Sequence, residues 1–417
     1  MKKLIIVKLI FILVFWSCKN DDNTPVITSI QLDKKELLMN VGDTETFKVT
    51  TDIMGNKVVW SSSDENIAIV SDQGVVTTLG GGEVTISAKV NDVQAVSIVR
   101  VNPDVFFIEY EVEDEIPVFW KNGQATNLGN KIDIILNSIF IYQEDVYVTG
   151  EEWFSNGNGF LWKNGVVQNL PASRGQINEL KSFFKDDEGN EYMCAEILTE
   201  NDKIPVYWIN GEEKIMEVTP PSSILFRGWR VDIFKMYVEN GDVYIVGNQR
   251  VSSNENLATL WKNGDIQNFT GDISKFNFTS VYVNDNDVFV TGYERLSNTE
   301  TVAKYWKNGT AMDLPSGNNS AFAESIAVSD DGDIYVAGKQ FLDNQREAVY
   351  WKNGEFKILD DGPNESWAED IIVFGNDFYI AGNSENENPD FAYWKNGEPV
   401  NISDIGLLYG SWSIYVR

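Results

Sequence analysis

The feature that most constrains the fold is a four-residue element, Trp-Lys-Asn-Gly or a close variant, that recurs seven times. Its tryptophans are Trp120, Trp162, Trp208, Trp261, Trp306, Trp351 and Trp394, spaced by 42, 46, 53, 45, 45 and 43 residues. A second element of the type Asp-Val-Tyr-Val-Thr-Gly recurs with it, starting at residues 104, 145, 190, 242, 287, 333 and 377. A period of this length, built from short strands, predicts a β-propeller with about one four-stranded blade per repeat.

Each repeat divides into four predicted strands, A to D. In the sixth repeat these are residues 324–328, 333–338, 348–351 and 355–359. Between C and D lies Asn-Gly, the pair that most readily adopts the left-handed dihedral angles of a type I′ hairpin turn. Because each repeated tryptophan ends a strand C, we predict that its ring fills the space between neighbouring blades and has a structural role.

The two ends of the repeated region predict closure into a ring. The first repeat begins at strand B, residue 104, and has no strand A of its own, whereas residues 410–417 match strand A of the preceding repeat. We therefore predict that residues 103–417 form a seven-bladed β-propeller closed by the C-terminal strand. Such closure leaves no open sheet edge.

The repeat FLWKNGVVQNL resembles the HAF-type repeat of extracellular proteins, in which a leucine follows a tryptophan and a short Asn/Gly turn. The leucine position is occupied by Leu128, Leu170, Leu314 and Leu359, and it differs at Met216, Phe269 and Ile402. The resemblance implies an exported propeller. It carries no known active site, so no functional residue is transferred from it.

Residues 25–102 form a separate predicted domain. About seven short apolar and β-branched runs alternate with turn residues, a pattern typical of a two-sheet sandwich. The stretches LLMNVGDTETFKV and VVWSSSDENIAIVSDQGVVTTLGGGEVTISA resemble the group 2 bacterial Ig-like domain over its whole length. Trp60 is expected to be the central core aromatic. The resemblance implies a spacer or an adhesive module, and a single copy favours a spacer.

The N-terminus predicts export. Lys2, Lys3 and Lys8 precede an apolar run, residues 9–16, which ends at Ser17 and Cys18. This is the order of a signal peptide, and the apolar run is too short to span a bilayer.

The cysteine after this run resembles the lipobox of bacterial lipoproteins, and KNDDN (residues 19–23) resembles the acidic tract that directs Bacteroidota lipoproteins to the cell surface. These resemblances imply a signal peptide at 1–17, an acidic tether at 18–24 acylated on Cys18 (with palmitate, for example), and a lipid anchor in the outer membrane, with the protein facing the exterior. A plain secretory signal with an incidental cysteine is the alternative.

Composition excludes several classes of function. The formal net charge is −30 and the acidic excess is spread along the chain, which argues against binding of nucleic acid. The chain has no histidine, the commonest general acid–base residue, and no nucleophile elbow, phosphate loop or metal motif. Cys194 has no predicted disulfide partner and is expected to be a buried thiol. We expect a monomeric, non-enzymatic protein without a cofactor.

Binding is predicted on the face that carries the connections from D to A and from B to C. These connections are long and differ from blade to blade, and variable loops on a regular scaffold commonly carry recognition. Exposed aromatic and cationic residues suit a glycan or a protein ligand. The candidates are Trp153, Arg227, Trp229, Arg230, Trp367, Tyr409 and Trp412. The alternative is that Trp229, Trp367 and Trp412, at equivalent places before strand A, simply cap the blades.

Three further alternatives stay open. The acidic turns between A and B offer oxygen ligands for structural Ca²⁺, although none has the spaced Asp pattern of a calcium loop. Paired carboxylates in the propeller funnel would suit an enzyme that acts on polysaccharides. A purely structural envelope protein would need no small ligand.

The lipid anchor makes a direct prediction. Replacing the acylated thiol in Cys18→Ala should move the protein from the membrane fraction to the soluble fraction, because the acyl chains supply the membrane affinity. Cell fractionation and immunoblotting measure this, with Cys194→Ala as the control that should stay in the membrane fraction. Membrane retention of Cys18→Ala would contradict lipidation.

Overall fold

The computed structural model describes residues 29–53, 57–111, 116–128, 134–152, 158–200, 202–220, 230–252, 255–297, 299–317, 319–343, 345–360, 362–385, 391–401 and 413–417. Within these ranges the regular structure is entirely β, which confirms the all-β prediction. The chain divides into two compact units, Met1–Asn102 and Pro103–Arg417.

Among its described residues, the first unit contains nine strands. They are β1 (Ile30–Leu32), β2 (Glu36–Asn40), β3 (Thr44–Thr46), β4 (Val49–Thr51), β5 (Val59–Ser62), β6 (Ala68–Val70), β7 (Val75–Thr78), β8 (Gly82–Val90) and β9 (Val93–Asn102). The order β2-β9-β8-β5 forms one sheet, β3-β7-β6 a second, and β1-β4 a two-stranded pair. Strand β2 pairs in parallel with β9.

The core of the first unit differs in one detail from the prediction. Phe47 is almost fully buried together with Val76 and Ile86. Trp60 is only partly buried and packs against two separate apolar clusters. Its ring lies against Gly74, where an added Cβ would approach the ring to 2.5 Å. The expectation that Trp60 is the central core aromatic is therefore wrong, and Phe47 has that place.

The second unit contains seven four-stranded sheets among its described residues. The strands of sheets 1 to 4 are β10 (Val105–Glu111), β11 (Ile116–Lys121), β12 (Gln124–Asn127); β13 (Ile134–Tyr142), β14 (Asp145–Glu152), β15 (Gly159–Lys163), β16 (Val166–Gln168); β17 (Gln176–Lys185), β18 (Glu191–Leu198), β19 (Lys203–Ile209), β20 (Glu212–Ile215); and β21 (Arg230–Glu239), β22 (Asp242–Arg250), β23 (Asn256–Lys262), β24 (Asp265–Ile266).

The strands of sheets 5 to 7 are β25 (Phe276–Asn284), β26 (Asp287–Arg295), β27 (Thr301–Lys307), β28 (Thr310–Asp313); β29 (Ala321–Val328), β30 (Ile334–Leu342), β31 (Gln345–Lys352), β32 (Glu355–Ile358); and β33 (Ser366–Phe374), β34 (Asp377–Ser384), β35 (Phe391–Lys395), β36 (Glu398–Asn401). The last strand, β37 (Ser413–Val416), joins sheet 1 by pairing antiparallel with β10. We call β37, β13, β17, β21, β25, β29 and β33 the first strands of sheets 1 to 7.

Neighbouring sheets are held together by apolar clusters. Seven clusters each combine residues of two consecutive sheets, and each contains one repeated tryptophan. All seven tryptophans are buried, and Trp208, Trp261, Trp306 and Trp351 are fully inaccessible. The clusters include one between sheet 7 and sheet 1, where Trp120 packs with Tyr379 and Ile414. The tryptophans therefore fill the spaces between sheets, as the sequence indicated.

Some tryptophans also make a polar contact with the preceding sheet. The indole N–H of Trp261 donates to the carbonyl of Glu217 at 2.7 Å, and that of Trp351 donates to the carbonyl of Pro315 at 2.7 Å. Both acceptors lie in the connection that leads from the outer strand of one sheet to the next sheet. One side chain thus packs and hydrogen-bonds across the same boundary.

The Asn-Gly turns have the predicted geometry. In every repeat the asparagine has φ between 47° and 54° and the glycine has φ between 78° and 91°. Positive φ at both central residues is the property of a type I′ turn, which matches the twist of the two strands it joins. Asparagine and glycine tolerate this backbone region best.

The turn asparagine also clamps the second strand of its sheet. In all seven sheets its Oδ1 accepts a backbone N–H from the start of that strand at 2.8–2.9 Å. Its Nδ2 donates to the side chain that opens the second repeat element at 2.6–2.9 Å. The asparagine is thus both a turn residue and a link between two hairpins.

The repeated lysine completes this clamp in six sheets. Its ammonium lies 2.6–2.9 Å from the aspartate that opens the second element, and 4.8–5.3 Å from the centre of an aromatic ring two residues beyond that aspartate. Contact with Lys163 lowers the pKa of Asp145, and the same contact raises the pKa of Lys163. Sheet 3 has Asn190 in place of the aspartate and Ile209 in place of the lysine, so both charges are absent together.

The first strands of six sheets contain a β-bulge. Their pairing with the second strand skips one residue, and in sheet 3 it skips two. Opposite the bulge, five sheets have the glycine that ends the second element. An added Cβ there would lie 1.9–2.3 Å from a carbonyl oxygen of the first strand. The glycine is required because the bulge presses the two backbones together.

Gly292 tests this close approach. In Gly292→Ala the new Cβ would lie 1.9 Å from the carbonyl oxygen of Asn277, so the strands must separate. We expect a loss of roughly 2–4 kcal/mol in the free energy of unfolding, measured by denaturant titration. Gly241→Ala is the matched control. It has no atom within 4 Å of the new Cβ and should cost only about 1 kcal/mol for its left-handed backbone. Equal losses in the two variants would contradict the bulge geometry.

Candidate binding site

The bulged first strands surround a cavity of about 550 Å³. Every first strand of the second unit contributes to its lining, through Ser138, Ser182, Lys235, Thr279, Ser325, Asp370 and Ser413. We call it the inner-strand cavity. Because a bulge leaves one residue outside the ladder, each bulged strand directs an extra side chain to this region instead of to a sheet-to-sheet core.

The most connected group in the cavity is the buried carboxylate of Asp370. Its Oδ1 accepts from Ser325 Oγ at 2.8 Å and lies 2.6 Å from Lys235 Nζ. Its Oδ2 accepts from Ser413 Oγ at 3.1 Å and from the backbone N–H of Ile414 at 3.2 Å. One side chain of sheet 7 therefore binds sheets 6, 4 and 1. A buried carboxylate with this many donors satisfies its hydrogen-bonding capacity.

A second charged group lies on the side of sheets 6 and 7. The Lys339 ammonium is 2.9 Å from Glu324 and 3.7 Å from Glu369. Burial raises the pKa of Glu369 to about 7, and the neighbouring carboxylates Glu324 and Asp370 add to this effect while Lys339 opposes it. The cavity therefore contains a carboxyl group that can exchange a proton near neutral pH.

Another buried carboxyl group is that of Glu196, in the second strand of sheet 3. It follows directly on the position that is glycine in five other sheets. One oxygen accepts the backbone N–H of Ile233 at 2.5 Å, and the other contacts Lys203. Burial raises the pKa of Glu196 to about 7 despite the ammonium of Lys203. This contact links sheet 3 to the first strand of sheet 4.

Aromatic side chains form another wall of the inner-strand cavity. Phe322 contacts Tyr293 edge-on with ring centres 4.6 Å apart, and it contacts Phe341 edge-on at 5.7 Å. Phe234 also lines the cavity and is 41% exposed. The cavity thus combines an aromatic wall with charged and amide groups, the composition of a small-molecule site.

The residues predicted from the loops are only partly described. Trp367 lies within the first strand of sheet 7 and not in the connection before it, which corrects its predicted position. It is half-buried, and the Arg346 guanidinium stacks 4.0 Å from its ring centre. Arg346, not Trp367, lines the inner-strand cavity. The arrangement agrees with the alternative in which this tryptophan caps its blade.

The other candidates do not enter the described site. Arg230 is the first residue of β21 and not a loop residue, and its side chain lies outside the described part of the chain. The remaining predicted positions also lie outside the described residues: Cys18, Trp153, Arg227, Trp229, Tyr409 and Trp412.

The residues that line the cavity were not among those predicted from the sequence, although the sequence carries a pattern for them. Most first strands have a pair of residues, usually polar and often ending in serine, inside an otherwise apolar run. Examples are Asn137-Ser138, Lys181-Ser182, Glu324-Ser325 and Glu369-Asp370. A repeated polar pair in a predicted inner strand indicates a polar centre, because an apolar core would exclude it.

A second cavity, of about 960 Å³, lies among the turns that join the first and second strands. Its base includes Phe140, with ring centres 5.0 Å from Phe184 and 5.5 Å from Tyr415. Its rim is acidic and includes Asp186 and Asp187. Among the described residues, no group of three or more Cys, Asp or Glu side chains is arranged to hold a metal ion. Within those same residues, no helix has the length and apolar character needed to cross a membrane.

Comparison with known proteins bears on the first unit. Residues 26–100 match the family model of the bacterial Ig-like domain (group 2), which confirms the prediction for that domain. One uncharacterized protein of Clostridium acetobutylicum is 49% identical over 76 residues, 17% of this chain and 8% of that protein. Another from the same organism is 25% identical over 167 residues, 39% of this chain and 40% of that protein. The chain therefore spans well under half the length of both relatives.

Several solved structures have a similar arrangement. A quinonprotein alcohol dehydrogenase-like protein of Bacteroides thetaiotaomicron has a TM-score of 0.42 at 12% identity, covering 91% of this chain and 96% of that one. The β-propeller domain of the Trilobed protease of Pyrococcus furiosus has 0.39 at 12%, covering 73% and 92%. A polysaccharide lyase, an ulvan lyase, has 0.42 at 11%, covering 84% and 93%. Similarity at this level transfers no activity to this chain.

Glu196 makes stability depend on pH in an unusual direction. Because folding raises its pKa from 4.5 to about 7, the folded state keeps a proton that the unfolded chain releases. Its contribution is complete below pH 4.5 and is lost as the pH rises through about 7. Over that window the free energy of unfolding should fall by up to about 1.4 kcal/mol per pH unit.

Urea unfolding between pH 5 and pH 8, followed by tryptophan fluorescence, measures this slope. Glu196→Gln should make the slope shallower, since the amide does not titrate, and should leave the part that Glu369 contributes through its own raised pKa. Glu188→Gln removes the same charge from an exposed position and should leave the slope of the parent protein. Parallel profiles for the parent and Glu196→Gln would contradict the assignment.

Proposed function

We propose that this protein is a surface-exposed lipoprotein of the outer membrane that binds a glycan or a protein ligand. In this proposal the second unit is a closed seven-bladed β-propeller, and the Ig-like unit is a spacer between the lipid anchor and the binding unit. Ligand is bound on the face that carries the connections from D to A and from B to C.

Closure of the ring is supported by contacts at the two ends of the second unit. Residues Val105–Ile108 pair with Ser413–Val416, and Asp104 accepts the backbone N–H of Arg417 at 3.1 Å. The first strands also contact one another in succession, including β33 with β37 and β37 with β13. A closed ring protects every sheet edge except the outermost strands.

The observation that carries the binding function is the inner-strand cavity. Seven separate strands place polar groups around one space of about 550 Å³, within the range of small-molecule sites. A purely structural propeller gains nothing from an exposed phenylalanine side chain, Phe234, at its centre. We expect a monomer, since in the proposed ring each sheet is covered by its two neighbours within the same chain.

Placement at the cell surface is supported by the N-terminal residues. The lipobox-like Cys18 and the acidic tract at 19–23 support export and acylation. The strong acidic excess suits a soluble surface that does not attach to polyanions. These features support a lipid-anchored protein that faces the exterior.

A second candidate function is an enzyme that acts on polysaccharides. Glu369, whose pKa burial raises to about 7, lies beside Lys339 in the inner-strand cavity. A carboxyl group that exchanges protons near neutral pH can act as a general acid or base. This pair is the specific observation in favour of catalysis.

Two assays on the purified protein separate the proposals. Retention on an immobilised glycan array, or capture of a defined envelope protein, supports a binding module. Release of new reducing ends or unsaturated products from a panel of polysaccharides supports the enzyme, and Glu369→Gln should then abolish the release. We expect retention without product release. If neither retention nor product release is observed, the binding function is overturned and the structural envelope role is left.

A further inference from the structure

We infer that the inner-strand cavity binds a neutral saccharide unit, which stacks on aromatic side chains that line it, Phe234, Phe322 and Phe341. The inference rests on the proposed binding function and specifies both its site and its ligand class. It moves recognition from the variable loops to side chains on the first and second strands.

The aromatic wall gives the first reason. At the bulge of the first strand, the other sheets have Asn137, Lys181, Thr279, Glu324 or Glu369, whereas sheet 4 has Phe234. Phe234 is 41% exposed and Phe341 is 36% exposed. These rings are not buried in the cores between sheets, so they can pack against the C–H face of a sugar ring.

The charges of the cavity select against an acidic ligand. Each lysine or arginine among the described lining residues already contacts a carboxylate. Lys235 contacts Asp370, and Lys339 contacts Glu324 and Glu369. The two other cations are likewise paired, Lys181 with Glu179 and Arg346 with Glu365. A uronate or sulfate would be repelled by these carboxylates, and every described lysine or arginine of the lining is already paired. Neutral hydroxyl groups, in contrast, donate well to carboxylates.

An unsatisfied acceptor gives an independent reason. Asn248 lines the cavity and is only 8% exposed, yet its Oδ1 has no hydrogen-bond donor among the described residues. Its Nδ2 makes one long contact, 3.4 Å, with Asn277 Oδ1. A buried amide oxygen without a donor costs stability in the free protein. Because this oxygen is itself inaccessible to solvent, a sugar hydroxyl would satisfy it after a rotation of the Asn248 amide toward the cavity.

The neutral saccharide can be tested with glycan arrays. The purified protein is applied to immobilised neutral oligosaccharides from glucan, mannan, galactan and xylan, and to acidic ones from alginate and polygalacturonate. We expect retention on at least one neutral series, displaced by the same oligosaccharide in solution. Both Phe234→Ala and Phe341→Ala should weaken that binding about tenfold or more, as the loss of a central aromatic contact does.

Matched variants separate binding from folding. Phe234 and Phe341 are more than a third exposed, so their truncation should leave the thermal midpoint near that of the parent protein. Ile358→Ala removes a side chain that is 47% exposed on the outer strand of sheet 6 and should change neither binding nor stability. Asn248→Leu should weaken retention without lowering the thermal midpoint, because it removes the unsatisfied amide.

Any of four results would overturn the inference. The first is retention on acidic oligosaccharides only. The second is retention on neutral oligosaccharides that Phe234→Ala and Phe341→Ala leave unchanged, which would place a glycan site in the variable loops and leave the proposed function standing. The third is capture of an envelope protein with no glycan retained, which would identify the other ligand class. Absence of both kinds of binding would remove the inference together with the proposed function.

Discussion

Packing of each sheet against its neighbour, with one tryptophan at every boundary, is the interaction on which the second unit depends. Nearly all the described buried apolar residues of this unit fall into seven clusters, and each cluster draws on two sheets. A sheet of four short strands therefore has no sufficient core of its own. It becomes stable when both faces are covered by neighbours, which is the reason that a repeated sequence produces a single cooperative body.

The same packing leaves the centre of the unit free to be polar. Apolar area between the sheets supplies the main stabilisation, so the innermost residues do not have to be apolar. The bulges exploit this freedom, because each one turns a side chain out of the ladder toward the centre. The close glycine opposite the bulge, such as Gly292 or Gly338, lets the two backbones approach. Asp370 and Lys235 then join sheets that are distant in sequence, and their mutual contact offsets part of the cost of burial.

The clamp at the Asn-Gly turn shows how a repeat conserves an interaction within one chain. Where the second strand opens with aspartate, the turn carries lysine. In sheet 3 the aspartate is replaced by Asn190 and the lysine by Ile209. The asparagine of the turn keeps both of its hydrogen bonds in every sheet, including this one. The amide contacts are therefore the constant part of the clamp, and the partly exposed ion pair is an addition of modest energy.

The sequence by itself determined the period, the strands, the type I′ turns, the buried tryptophans and the Ig-like domain, because each depends on local residue preferences or on a repeated spacing. Tertiary structure decided which polar residues meet at the centre. The groups that meet there come from sheets far apart in the chain, as Asp370, Lys235 and Ser413 do. No local pattern predicts that their strands converge. The bulges, which skip one residue of the ladder, also shift the inward positions away from simple alternation. For that reason residues assigned to loops, such as Trp367, were chosen from the sequence, whereas the cavity is lined by residues inside strands.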